Sequence, residues 1–312
     1  MGIYEHAKEF AGKRVVEWEP GMVMQSPEET AYRITLPYEE ADAGKTWEEK
    51  FRAFLSQPSA ARVYGIVVGL WGDSSPLGES GGVVRELVGA RDRLSNLRAL
   101  FIGDITGEEF EISWIEHTDM APIFTAYPAL EHFRVRGGTG LRLGRIEHHR
   151  LKTLVVESGG LDVSVVRDIC ASDLPELEHL ELWLGDENYG ASAEIVDLAP
   201  LLGGKIFPKL SYLGLCDSEL ADAIAVTVSH SPVLERLRVL DLSLGTLSDD
   251  GAAALLTSPG VARLELLDIH HHFCSDEMVR KLEGLGIRVD ASDQQEEDDY
   301  DGETHRYVAV GE

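Results

Sequence analysis

The chain has 312 residues, 44% of them hydrophobic, and its 55 acidic against 28 basic side chains give a formal charge of −27 at neutral pH. That apolar content supports a sizeable core and argues against global disorder, while the charge repels phosphate backbones and anionic lipid, which disfavours nucleic-acid and membrane-surface binding. Cys170, Cys216 and Cys274 are too few and too scattered for a disulfide framework and fit a reducing cytosol.

The opening segment Met1–Phe10 has no apolar signal core and lacks the Ser or Thr of a myristoylation site at position 6, and no apolar run approaches membrane-spanning length. A cytoplasmic location is therefore expected. Val15–Trp18 and Ala31–Leu36 alternate like strands. Thr46-Trp-Glu-Glu49 is a capping box, and it starts a helix with Trp47, Phe51, Phe54 and Leu55 on one face. Residues 1–60 are expected to form an N-terminal α/β cap.

From residue 61 a pattern apolar-x-x-apolar-x-apolar keeps returning. Val63-x-x-Ile66-x-Val68 is a weak first copy. Leu97-x-x-Leu100-x-Ile102, Leu130-x-x-Phe133-x-Val135, Leu151-x-x-Leu154-x-Val156 and Leu177-x-x-Leu180-x-Leu182 follow. The last three copies begin at Leu210, Leu237 and Leu264, spaced 27 residues apart. Within each copy the period is 2, a strand with one buried face. Helical faces lie between them at Val83–Leu94, Leu161–Cys170, Asp217–His230, Ser248–Leu256 and Ser275–Leu285, the last two opening on Ser-Asp cap signals.

One strand and one helix cannot fold alone. Three buried aliphatics supply at most ~5–9 kcal/mol, and ordering each residue of the unit costs roughly 1–2 kcal/mol. Neighbouring units must stack and share a core. Strands about 4.8 Å apart against helices about 8–10 Å apart force an arc with the strands inside. The pattern resembles the leucine-rich-repeat fold, with longer units like its ribonuclease-inhibitor-like class. The expected architecture is an α/β solenoid of about eight irregular repeats over residues 61–290, a curved parallel sheet inside and helices outside. In that family an Asn or Cys follows the strand and bonds its neighbour's backbone. Here those positions hold Trp71, Ile105, Gly138, Gly159, Gly185, Ser218, Gly245 and His272, so a missing polar ladder is expected. The insertion Gly107–Pro128 should leave the regular path. Residues 291–312 read as an acidic tail, Gln294–Asp301, and a strand-like end, Arg306–Val310, which either docks on a sheet edge near the cap or stays a loose peptide.

Across the whole chain, Glu5–Gly12 with Val15–Trp18, the Ala31–Leu36 strand and Arg306–Val310 resemble a bacterial family of leucine-rich-repeat proteins. Members of that family resemble components of gene clusters that also encode radical-SAM and ATP-grasp-like enzymes. The resemblance implies an accessory role beside such enzymes as partners.

Strand alternation turns the third, fifth and seventh motif positions to the concave face. The candidate partner-binding residues are Phe101, His132, Arg134, Arg136, Glu157, His179, Glu181, Trp183, Tyr212, Asp241, Asp268 and His270. Phe101, Trp183 and Tyr212 are expected as exposed anchors, with packing on insertion loops as the alternative. Charge changes sign along the series, from Arg134 and Arg136 to Glu157, Glu181, Asp241 and Asp268, which would orient a partner. Eight strands offer on the order of 600 Å² against about 800 Å² for a standard interface side, which suits a peptide or small domain.

Catalytic signals are weak. Asp268, His270 and His272 could bind zinc if the strand persists, but adjacent histidines face opposite ways and no second ligand pair completes a zinc pattern. Gly137–Gly140 lacks the lysine of a Walker loop, and no nucleophile elbow is present. Cys216 faces the groove without a basic neighbourhood. The expectation is a non-catalytic module without cofactor or metal that recognises a protein or peptide on its concave face. The alternatives are a structural accessory subunit of a tailoring-enzyme complex and a metal-dependent enzyme at Asp268/His270/His272.

Overall fold

Most stretches of period 2 become strands, and within each of two units most strands pair in parallel with the strand before. The computed structural model describes residues 3–72, 77–300 and 303–311, so Asp301 of the acidic run lies outside the described residues. The chain divides into two units, Met1–Val156 with Ala171–Leu174, and Glu157–Cys170 with Pro175–Gly311.

In the first unit β1 (Glu9–Phe10) and β2 (Lys13–Glu17) form an antiparallel hairpin, with Ala11 and Gly12 in the left-handed conformation that tight hairpin turns use. Parallel pairing then runs from β2 through β3 (Thr30–Ile34), β4 (Gly65–Val68) and β5 (Ala99–Ile102) to β6 (His132–Arg136). The strand β7 (Thr153–Glu157) follows, and all of it but Glu157 belongs to this unit. The parallel series thus starts ahead of residue 61. Tyr32 and Ile34 sit in register with Ile66 and Val68, but Glu29 stands where the motif's first leucine would be.

The two faces of this sheet are covered differently. After the short helix α1 (Tyr38–Asp42), α2 (Trp47–Leu55) opens on the expected capping box, Thr46 with Glu49. It sinks Trp47, Phe51 and Phe54 out of solvent, and Phe54 meets Trp18 and Tyr32 edge-on at 5.3 and 5.9 Å. On the opposite face Ala31, Val67, Ala99 and Phe101 are covered by Ala7 and Phe10 of the N-terminal segment. That segment is clamped by Asp104. One Asp104 oxygen accepts from the Ala7 N–H at 3.1 Å, and the other lies 3.1 Å from Arg33 Nε. Arg33 also donates to Glu17 and to the Asp104 carbonyl, and both Arg33 and Asp104 are buried. The helix α3 (Gly81–Gly89) follows β4. The insertion does leave the regular path: a helical turn at Ile112–Trp114, isolated bridges Glu116–Thr139 and Asp119–Arg142, and α4 (Ala121–Ala126).

The second unit is more regular. Parallel pairing joins β8 (His179–Gly185), β9 (Tyr212–Ser218), β10 (Val239–Asp241), β11 (Leu266–Asp268) and β12 (Arg288–Asp290). Leu213, Leu240 and Leu267 lie side by side and fully buried. The helices are α5 (Val163–Cys170), α6 (Ala199–Leu202), α7 (Ala221–Val228), α8 (Asp249–Leu256) and α9 (Asp276–Glu283), the last three packed in chain order. Ser248 and Ser275 are the expected N-caps. This is an α/β leucine-rich-repeat solenoid.

Side chains still tie repeat to repeat, chiefly at the helix starts. Asp222 accepts from the Ser248 N–H at 2.8 Å and from its hydroxyl at 2.7 Å. Asp249 accepts from the N–H and the hydroxyl of Ser275, both at 2.7 Å. In the turns after the strands, Ser218 accepts from the Leu220 N–H and His272 from the Cys274 N–H, and two side chains also cross to a neighbouring turn: His272 Nε2 lies 3.1 Å from the Ala291 carbonyl and the Thr246 hydroxyl donates to the Ser218 carbonyl at 3.3 Å.

The chain end docks on the second unit rather than near the cap. Val310 donates its N–H to the buried Asp217 at 2.9 Å, and Ala309 donates to the Leu244 carbonyl. Arg306 bridges Glu297 and Asp222. Just before it, β13 (Asp298–Tyr300) and β14 (Glu303–His305) pair antiparallel.

Asp104→Ala removes the buried carboxylate beside Arg33 and the acceptor of the Ala7 N–H, leaving Glu17 as the partner of Arg33, and is expected to cost about 3 kcal/mol in urea denaturation. Asp249→Ala removes one inter-repeat tie at a half-exposed helix start and should cost only about 1–2 kcal/mol by the same assay.

Candidate partner-binding face

On β8 to β12, the residues alternating with the buried leucines form cross-strand rows. One row reads His179, Tyr212, Val239, Leu266, Arg288. The next reads Glu181, Gly214, Asp241, Asp268, Asp290. Trp183 and Cys216 begin a third.

These side chains organise one another. The His179 and Tyr212 rings stack with centroids 3.8 Å apart and planes 11° from parallel. His179 Nε2 lies 3.2 Å from Glu181 Oε2, and the Trp183 indole N–H donates to Glu181 Oε1 at 2.9 Å. The Tyr212 hydroxyl donates to Asp241 at 2.5 Å. His270 Nδ1 stands 2.8 Å from Asp268. Burial, and then the Asp241 charge, push the Tyr212 phenol and the Cys216 thiol upward, so both stay protonated at neutral pH. Burial raises Asp241 as well. The hydrogen bond to Asp268, reinforced by the charges of Asp268 and Asp241, raises His270.

The sequence-derived candidates fall into two groups. The first unit brings together Phe101, His132, Arg134 and Arg136. The second holds His179, Glu181, Trp183, Tyr212, Asp241, Asp268 and His270, with Glu157 at its first residue. His132, Arg134, His179, Glu181, Tyr212, Asp268 and His270 are half-buried and present part of their surface. Phe101, Arg136, Glu157, Trp183 and Asp241 are instead buried. Phe101 is not an exposed anchor: Phe10 lies 5.8 Å away across it, and the Arg134 and Arg136 guanidiniums sit 4.6 and 5.7 Å from its ring. Arg136 spends Nη1 on the Ile105 carbonyl. Trp183 is held back along its own strand by the bond to Glu181, and Asp241 is capped by Tyr212. Glu157 has no exposed surface at all.

The proposed metal trio does not assemble. The strand ends at Asp268, and His272 is buried with Nε2 on the Ala291 carbonyl and Nδ1 on the Cys274 N–H. Among the described residues no group of three or more His, Cys, Asp or Glu is placed to hold a metal ion. Asp290 belongs to the carboxylate row but carries no leucine motif, because Gly286 and Ala291 flank its core residue Val289. The Ile287/Val289 alternation was the available signal. In the first unit a cleft of about 560 Å³ opens beside Arg33. Two of its cations are met internally, Arg33 by Glu17 and Asp104, and Lys8 by Glu5, and Arg14 and Glu108 also line it.

Neither a protein-family model nor a curated protein sequence matches the chain. A protein from Bacteroides fragilis, whose crystal structure was a structural-genomics target, superposes with a TM-score of 0.81 at 32% identity, covering 89% of this chain and 76% of that one. This chain belongs to the family of that Bacteroides fragilis protein. The Bacteroides fragilis relative is described by its structure alone, so membership speaks to fold and leaves the task to be argued from the site. An internalin from Listeria monocytogenes matches at a TM-score of 0.40 and 13% identity over 91% of this chain and 87% of that one. That likeness is too thin to bear on fold or role.

His270 lies above the ordinary histidine value of 6.5 because of Asp268. The pair's contribution to stability is therefore complete below about pH 6.5 and lost as pH rises through the folded value. An NMR titration of the His270 ring should show its midpoint fall in Asp268→Asn, with the pH dependence of unfolding flattened over the same window.

Proposed function

We propose that this protein is a non-catalytic, cytosolic recognition module that binds a protein or peptide on the sheet face of its second unit. The observation that carries this reading is the half-exposed set His179, Glu181, Tyr212, Asp268 and His270, preassembled on rigid adjacent strands opposite the leucine core. Side chains already held in place lose little rotamer freedom on binding, and an aromatic stack beside charges is a common interface anchor. The same groups are poorly set for catalysis, since Cys216 and Tyr212 are held protonated and Glu181 and Asp268 are half-exposed to solvent. Among the described residues no helix is long and apolar enough to cross a membrane. The radical-SAM and ATP-grasp-like enzymes implied by the resemblance are candidate partners, to be offered by co-expression.

The test compares proteins co-purifying with the wild type, with Tyr212→Ala and with Lys281→Glu on the exposed side of α9, after circular dichroism has confirmed folding. Loss of partners only in Tyr212→Ala is expected. Partners retained by Tyr212→Ala at wild-type abundance would overturn the reading, and loss only in Lys281→Glu would favour an accessory subunit held through its helices.

A further inference from the structure

We infer that the bends closing β9, β10 and β11 form a second binding site, separate from the sheet face, for an extended peptide segment that carries an arginine, a valine four residues later and then a glycine. The chain's own residues 306–311 fill this site at rest, and a partner's segment enters only when they are displaced.

Three successive repeats carry the argument. Asp217, Leu244 and His271 are each the eighth residue of the copies that begin at Leu210, Leu237 and Leu264. All three are left-handed, with φ of 51°, 65° and 57°. Residues with a side chain seldom enter that region, and of these three a leucine does so least readily. The strand ladder survives the bends, because their N–H groups donate to the carbonyls of Ser243, His270 and Ser292 beside the next strand. What the bends present outward is spent on one segment. Val310 donates its N–H to Asp217 at 2.9 Å, Ala309 donates to the Leu244 carbonyl at 2.8 Å, and His271 Nε2 lies 3.3 Å from the Tyr307 carbonyl. The segment thus crosses the repeats one after another, against their chain order. An unfavourable backbone conformation kept in three consecutive repeats, each time against the same segment, marks a built site.

The socket sets what fits. Asp217 is fully buried, one of its oxygens takes the Val310 N–H, and the other has no hydrogen-bond partner among the described residues. A buried carboxylate short of donors calls for an N–H from whatever chain lies over it. Val310 is buried while Tyr307 is exposed, so the valine position selects and the tyrosine position tolerates. A Cβ at Gly311 would come within 2.7 Å of the Tyr189 ring, which favours glycine there. Arg306 meets Asp222 at 3.1 Å and Glu297 at 2.6 Å. The resident segment is also poorly placed to stay. Of residues 306–311 Val310 alone is buried, and the leader Glu296, Glu297, Asp298 and Asp299 is exposed and acidic on a chain of charge −27. An incoming segment without that leader escapes the repulsion. What holds the resident in place is its tether, which gives an effective concentration of order millimolar.

The probe is a fluorescein-labelled, end-capped peptide of residues 304–311, Thr-His-Arg-Tyr-Val-Ala-Val-Gly, read by fluorescence anisotropy against the full chain. The tail is disabled by Arg306→Glu/Val310→Asp, with circular dichroism confirming the fold. Expected is binding about tenfold or more tighter to that variant than to the wild type, because the tethered competitor is gone. Ala-Ala-Arg-Ala-Ala-Ala-Val-Gly, which keeps only the three selecting positions, should bind within about threefold of the native sequence. The reversed sequence Gly-Val-Ala-Val-Tyr-Arg-His-Thr, of equal charge, should bind about tenfold or more weakly. The peptide with Gly311→Ala should lose about fivefold through its clash with Tyr189, and adding Tyr189→Ala to the protein should abolish that difference, a readout that diffuse attraction to an acidic surface does not move. Equal binding by wild type and tail variant, no binding by the tail variant, equal binding of the reversed peptide, or a glycine preference that ignores Tyr189 would each overturn the inference. So would a doubled mass of the wild type in sedimentation that the tail variant abolishes, which would assign the site to a second copy's tail. Adding Tyr212→Ala to the tail variant should leave peptide binding within about twofold. Loss of peptide binding there would merge the two sites and overturn this one, whereas the sheet-face reading fails only if Tyr212→Ala captures cellular partners unchanged.

Discussion

The register between neighbouring strands governs this structure. Leu213, Leu240 and Leu267 are buried side by side because each repeat returns the chain to the same height. A slip of one residue would carry every leucine to the other face and every carboxylate into the core. The same alignment that builds the core therefore sorts the outward residues into rows. The stacked rings of His179 and Tyr212 and the line of acids beside them are consequences of repeat length before they are features of a surface.

Much of the fold was legible in the sequence because its signals are local and periodic. The capping box at Thr46, the serine caps at Ser248 and Ser275, and the leucine copies from Leu97 onward each correspond to an observed element. The less legible parts depended on partners distant along the chain. β3 joins the parallel series with Glu29 where a leucine was sought, and β12 does so on Val289 alone. The turns were expected to lack a polar ladder, and the sequence did not reveal that Asp222 and Asp249 tie repeat to repeat at helix starts, two positions that read as ordinary capping acids until their serine partners are seen.

The candidate face was legible in direction and not in exposure. Alternation correctly sends Phe101 and Trp183 away from the leucines, but it says nothing about what lies on top of them. Phe101 disappears beneath Phe10, whose place depends on the Asp104 clamp 97 residues from Ala7. Trp183 folds back because Glu181, two residues away on the same side, can take its N–H. Aromatic and acidic neighbours on one strand face tend to satisfy each other, so hydrogen-bonding capacity has to be counted before such a ring is taken for an anchor.

The aspartate–serine ties have an implication for engineering. Residues 248–274 form a block of 27 residues that opens on Ser248, the donor to Asp222 in the block behind, and Asp249, the acceptor for Ser275 in the block ahead. A tandem copy of that block would carry its own coupling at both ends, much as railway wagons do. The array can thus be lengthened by one wagon without designing a new junction.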